Sequence, residues 1–160
     1  MATYMKIDGV KGSVTDEGQQ GSIAVDGTTM VTHRKIIMRP GRTTNRETNY
    51  VNHEELELTK DVDLSSCDLK QAYYKNKVYP TVTIEMCRIV DGVISPAMTY
   101  VLTNAMISQY NEVSDGEGLP VETLRFNFTK IETHYLLKDN KNQPLPRKSI
   151  GFNLVDAKSC

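Results

Sequence analysis

At 160 residues the chain is long enough for one domain that buries about 68 to 70% of its unfolded surface, so folding needs no disulfide or metal staple. A formal charge of −1 argues against a surface built throughout for nucleic acid or anionic membrane. Three widely spaced cysteines (Cys67, Cys87, Cys160) with no C-x-x-C argue against a disulfide framework or a zinc site. No apolar run reaches the roughly 18 residues of a membrane span and no secretory signal pattern opens the chain, so the expectation is a protein made soluble in the cytosol.

In chain order, Tyr4, Met5 and Ile7 alternate with polar residues in Thr3 to Val10. After a polar tip, Ile23 and Val25 predict a second strand returning antiparallel to the first. Residues 28–52 are expected to form a long protruding loop or hairpin with a Pro-Gly turn at Pro40 and Gly41. This stretch is basic, carrying Arg34, Lys35, Arg39, Arg42 and Arg46 against Glu47. It reads either as a contact for an anion or a partner, or as a solvated loop. Leu56 and Leu58 then alternate with Glu55, Glu57 and Thr59 in a half-buried strand.

The stretch Asp61 to Lys77 is the one convincing helix. Ser65 is placed to cap it, Asp68 faces its positive end, and Leu69, Ala72, Tyr73 and Asn76 form a narrow apolar stripe. Such a stripe suits a plug or edge cover for strands. Strand returns at once after Pro80, with Val82, Ile84 and Met86 in alternation, and Asp91-Gly92 marks a two-residue hairpin turn. The return strand sets Met98, Tyr100 and Leu102 on one face and continues past Asn104, with Met106 and Ser108 on one face and Ile107 on the other.

An acidic, glycine-rich tip holds Glu112, Asp115 and Glu117. Beyond it lies the longest clean alternation of the sequence, with Leu124, Phe126 and Phe128 on one face of a long strand. A last strand is expected to turn Ile150, Phe152 and Leu154 inward and leave the tail outside. The tally is about eight antiparallel strands and one short helix, the count at which a small barrel closes on its own side chains.

Catalytic patterns are lacking. His33, His53 and His134 stand alone as surface histidines, and no G-x-S-x-G surrounds a serine. Cys67 and Cys87 read as buried thiols, with Cys160 a tail thiol. Gly9 and Gly12 fit turn geometry better than a phosphate cradle, and the sequon at Asn127 lies inside a strand. The pairs Glu54/Glu55 and Asp61/Asp63 read as solvated or capping carboxylates. No catalytic, cofactor-binding or metal-binding residue is assigned.

Five stretches taken together resemble the haemolysin-coregulated protein family of bacterial type VI secretion. They are YMKIDGVKGS, HEELELTKDVDLSS with the helix after it, YVLTNAMIS and VETLRFNFTKIETHY, with Lys60, Asp63, Ser65, Asn104-Ala105 and Phe126, Lys130, Ile131 the more specific pieces. The resemblance implies a single domain over residues 1–160, a two-sheet antiparallel β-barrel with the helix at its side, assembled as a hexameric ring. Such rings stack into a tube, are expelled by a contracting sheath with a spike at the tip, and carry small effector proteins in the lumen. Cytosolic loading without a signal peptide and a structural, non-enzymatic role go with it, the short tail leaving no room for an added toxin domain. Ring stacking is expected to join the basic loop Arg34 to Arg46 of one ring to an adjoining ring, with Glu112, Asp115 and Glu117 as a candidate partner. The alternatives are a phage-like tail-tube protein and a nucleic-acid-binding barrel; the latter is weakened by the absence of aromatics between Arg34 and Arg46.

Overall fold

A computed structural model describes residues 1–38, 40–41 and 46–160, and side chains outside 46–48. Strand β1 (Ala2–Ile7) buries Tyr4, Met5 and Ile7, and β2 (Ile23–Val25) returns antiparallel with Thr3 opposite Val25, as the alternation predicts. The connecting loop folds tightly: Gly12 N–H donates to Gly21 O at 2.9 Å, and a Cβ on Gly12 would lie 2.1 Å from Ser22 O. After Asp26 the chain continues as β3 (Gly27–Thr29).

Residues 32–38 and 46–53 pair as the two sides of a hairpin. Its neck is β4 (Thr32–His33) paired with β7 (Asn52–His53), and its stem is β5 (Ile36–Met38) paired with β6 (Arg46–Thr48). Ile36, Ile37 and Met38 are exposed on it. Strand β8 (Leu56–Asp61) follows and turns Leu56, Leu58 and Lys60 inward.

Helix α1 (Ser66–Tyr74) starts differently from the expectation. Ser65 has helical backbone angles and makes no capping bond with its side chain. The turn is instead held by Asp63, whose Oδ1 accepts from Ser65 N at 3.0 Å, and by Ser66, whose Oγ accepts from Asp63 N at 3.0 Å. Leu69 and Ala72 are buried, and complete burial of Leu69 contributes about 1.5–3 kcal/mol. Asn76 does not extend the apolar stripe. It lies past the helix with φ of 52°, and Lys77 N–H reaches back to Ala72 O at 3.0 Å, a left-handed C-terminal cap that asparagine tolerates. Cys67, expected buried, is exposed, because it sits two positions from Leu69 and so on the opposite side of the helix; Cys87 is buried as expected.

Strands β9 (Val78–Val90) and β10 (Val93–Val113) meet at Asp91-Gly92, both at positive φ, which is the turn that this dipeptide predicts. The long alternation beyond the acidic tip is divided into β11 (Val121–Asn127) and β12 (Lys130–Tyr135), and the two share a register on β10 across the division, where Met106 faces Asn127 and Thr103 faces Lys130, before a bulge between Ile107 and Gln109 shifts the rest of β11 by one residue. At the division Asn104 takes φ of 50° and shifts the alternation of β10 by one residue, so Leu102 is followed inward by Ala105 and Ile107. Strand β13 (Lys148–Asn153) pairs with β12. The tail, expected to be left outside, forms β14 (Lys158–Ser159) on β13, with Cys160 N–H donating to Gly151 O at 2.9 Å. Phe152 and Leu154 pack on the core, but Ile150 is exposed; it shares the face of Phe152 two residues further out, past the hairpin neck that covers that ring.

The long hairpin of β10 with β11 and β12 is therefore a spine from which the main sheet forks. One arm carries β9, β1 and β2, the other β8 and β3, with β13 and β14 beside β12. The expected closed barrel of about eight strands is not found: the main sheet has ten strands in a branched order. The arms approach where Asp26 N–H donates to Thr59 O at 2.8 Å. However, β2 ladders only with β1 and β3 only with β8, and each is three residues long, so no continuous ladder closes the circuit. The core between the arms is aliphatic and aromatic, with Met5, Ile23, Leu58, Ile84, Leu102 and Phe126 almost fully shielded.

Candidate functional site

Two charged surfaces, one at each end of β8, are the exposed features with partner-binding character. At the Leu56 end the hairpin presents Arg34 and Lys35, both exposed, beside its uncovered apolar strand. Arg46 opens β6, while Arg39 and Arg42 lie outside the described residues. At the Asp61 end, Val121 pairs with Asp61, and the acidic tip follows β10.

The expected contact groups are therefore not brought together within one chain. Glu112 is already engaged by Lys70 of α1 at 2.7 Å, and this partner raises the Lys70 pKa. Asp115 Oδ1 accepts from Glu117 N at 2.9 Å and so shapes the tip. Glu117 is exposed. The acidic end also includes a cavity of about 600 Å3 lined by Tyr4, Asp16, Asp26, Asp61 and Asp63. Tyr4 donates to Asp16 Oδ2 at 2.6 Å, and that bond, with burial, pushes its phenol up to about 12.

Behind the acidic end lies a polar cluster that sequence reasoning did not assemble. Lys60 is fully buried, and its Nζ lies 2.6 Å from Glu122 Oε2, 3.0 Å from Asp63 Oδ1 and 2.8 Å from Asp61 O. Tyr110 donates to Glu122 Oε1 at 2.6 Å, and Ser66 donates to Glu122 Oε2 at 2.9 Å. Burial and then this bond to Glu122 drive the Tyr110 pKa up. Burial alone would raise Asp63, but the bonds from Ser65 and Lys60 and the Lys60 charge outweigh it and hold its carboxyl below the ordinary value. With its ammonium sealed from solvent, Lys60 is positioned to tie α1 to β8, β10 and β11 and not to meet a substrate. A signal for it was present: Lys60 is in phase with Leu56 and Leu58, and Glu122 with Leu124 and Phe126, so two opposite charges fall inward on adjacent strands.

Among the described residues no group of three or more His, Cys, Asp and Glu side chains is placed to hold a metal ion. Burial pushes the Cys87 thiol up, away from the thiolate that a nucleophile needs. His53 is half-buried and stacks on Phe152 with ring centroids 4.7 Å apart.

The family model described as "Type VI secretion system effector, Hcp" matches residues 4–135. Among solved structures, one of "a type six secretion system protein" is similar at 25% identity, covering 99% of each chain, with a TM-score of 0.90. Hcp1 from Salmonella typhimurium shares the fold at 17% identity, over 99% of this chain and 98% of that one, TM-score 0.79. The baseplate of the anti-feeding prophage shows a looser likeness of fold, at 12% identity over 82% of this chain and 90% of that one, TM-score 0.51. No curated protein matches the sequence.

Proposed function

The chain belongs to the Hcp family of type VI secretion, a family of tube proteins, and from that premise we propose that it acts as a single domain over residues 1–160 whose copies close into a hexameric ring and stack head to tail. The observation that carries the stacking is the placement of charge. The basic, partly apolar hairpin leaves one end of β8 and the acidic tip lies at the other, so like ends repel and unlike ends attract when copies align. Arg34, Lys35, Arg39, Arg42 and Arg46 of one ring then face Glu112, Asp115 and Glu117 of the next. Each exposed ion pair contributes only about 0–1 kcal/mol, so the contact depends on repetition around the ring.

In this reading the protein works through surfaces and carries out no catalysis. A sheath and a spike propel the tube, effector proteins occupy its lumen, and the protein is loaded from the bacterial cytoplasm and secreted. A tail-tube role in a phage-like particle is the second reading, favoured by the likeness of fold to the prophage baseplate. Both readings predict rings.

Size exclusion with light scattering at low and high salt, with negative-stain images of the same peak, tests the proposal. A mass near six chains, ring particles and salt-sensitive stacks are expected. A monomer at every concentration sinks the ring. Unchanged stacking after Arg34→Ala and Lys35→Ala sinks the role of the hairpin.

A further inference from the structure

The hairpin is joined to the rest of the molecule through a narrow neck, and the neck contains a titratable ring. Thr32 faces His53 and His33 faces Asn52 in a two-residue ladder, which Glu54 N–H extends by donating to Val31 O at 2.9 Å. Beyond that ladder the described side chains of residues 34–38 are all exposed, so the direction of the hairpin is set at the neck. There His53 lies on Phe152 of β13, with its Nδ1 3.3 Å from Thr32 Oγ1, while Met30 packs on the core below. We propose that His53 is a pH-operated latch: its neutral ring seats the hairpin on Phe152, and protonation loosens that seat.

The surroundings favour the neutral ring. One side of His53 faces an apolar groove of about 500 Å3 with Tyr100, Tyr135 and Ile150 in its walls. The other side faces a cavity where Glu54, Glu55, Glu57 and Arg125 converge. Two of those carboxylates are engaged elsewhere. Glu57 takes Arg125 at 2.7 Å, Glu55 accepts from Ser108 and Asn127, and Glu54 lies 3.7 Å from His33 Nδ1. Burial thus dominates and lowers the His53 pKa below its usual value. The released ring titrates near 6.5, so the seat is at full strength above that pH. It weakens as pH falls through that value and is weakest below the lowered pKa of the seated ring.

The latch does not depend on assembly; only its consequence for stacking rests on the proposed docking of the hairpin. The experiment is therefore done on the full chain in whatever assembly state it holds. His53 Cε1–H and the Met30 methyl are followed by NMR from pH 8 to about pH 4.5, together with amide exchange of residues 30–54 corrected for intrinsic rates. The methyl shift and the loss of protection are expected to share the midpoint of His53 itself, and H53F to remove the pH dependence while keeping the hairpin seated. Phe152→Leu is expected to move the His53 midpoint up toward that of an ordinary histidine. The fold loss of protection should equal the ratio of the two acid constants. A wild-type pH response that survives in H53F overturns the latch, as does a His53 midpoint that Phe152→Leu leaves in place. Rings that never form, alongside a titrating neck, would refute the tube reading and leave the latch standing.

Discussion

Replacing Lys60 by methionine tests whether the buried polar cluster holds the helix to the sheet. The substitution keeps length and apolar stem but removes an ammonium with 0% side-chain exposure, leaving Glu122 at 1% and Asp63 at 14% with no cation between them. Breaking a buried pair in this way costs about 3–5 kcal/mol. That is a large share of a total stability of about 5–15 kcal/mol, and it corresponds to about 6–20 °C in Tm. Glu122→Gln is milder, about 1–3 kcal/mol, because shape is kept and Lys60 retains Asp63 and the Asp61 carbonyl. The double variant Lys60→Met/Glu122→Gln also lifts the desolvation of both charges, so it is expected to be far less destabilised than the two single changes added together. Urea unfolding at one fixed protein concentration, followed by circular dichroism, measures all three. A Lys60→Met cost below about 1 kcal/mol, or a double variant equal to the sum of its parts, would refute the reasoning.

The lowered Asp63 carboxyl gives a stabilisation that is present above the unfolded aspartate value of about 3.9 and is lost as pH falls through the folded value. Asp63→Asn should therefore flatten the acid limb of the stability curve below about pH 4, while an unchanged limb would place that sensitivity elsewhere. Asn104, at φ of 50°, should accept glycine at little cost but lose about 1–2 kcal/mol as alanine or valine. A thermal melt that ranks valine with glycine contradicts the left-handed backbone at Asn104. Gly12→Ala drives a methyl against the Ser22 carbonyl and should open the loop covering β1, seen as faster amide exchange at Gly21 and Ser22. Unchanged protection there would mean the close approach is not needed.

The elements easiest to read were those with unbroken periodicity or a turn dipeptide of fixed chemistry: β1 and β2, β8, the Asp91-Gly92 hairpin and the inward face of Leu124, Phe126 and Phe128. Fork and closure were not legible, because alternation reports which face is buried and not which neighbour a strand bonds. The small ladders of β2 and β3 carry only three residues each. The helix cap was misplaced because Ser65 and Ser66 compete for one role, and Asp63, two residues upstream, decides between them. Asn76 fits helical spacing equally well as a fourth stripe residue or a left-handed cap, and only the path of Lys77 separates the two. Of the candidate surfaces, the basic and acidic segments could be read as charge runs. That Glu112 is engaged by Lys70 depends on α1 lying against β10, which no spacing within either segment reveals.

The forked spine also has a mechanical meaning. Strand β10 is hydrogen-bonded along one edge to β9 and along the other to β12 and β11, over most of its 21 residues. A force directed along it loads those bonds side by side in shear, where they must fail together, whereas a force across the three-residue ladders of β2 and β3 would open them one at a time. A load applied lengthwise along β10 is thus shared by many bonds at once, whereas the two arms are joined at Asp26 only by the chain itself and one backbone hydrogen bond to Thr59.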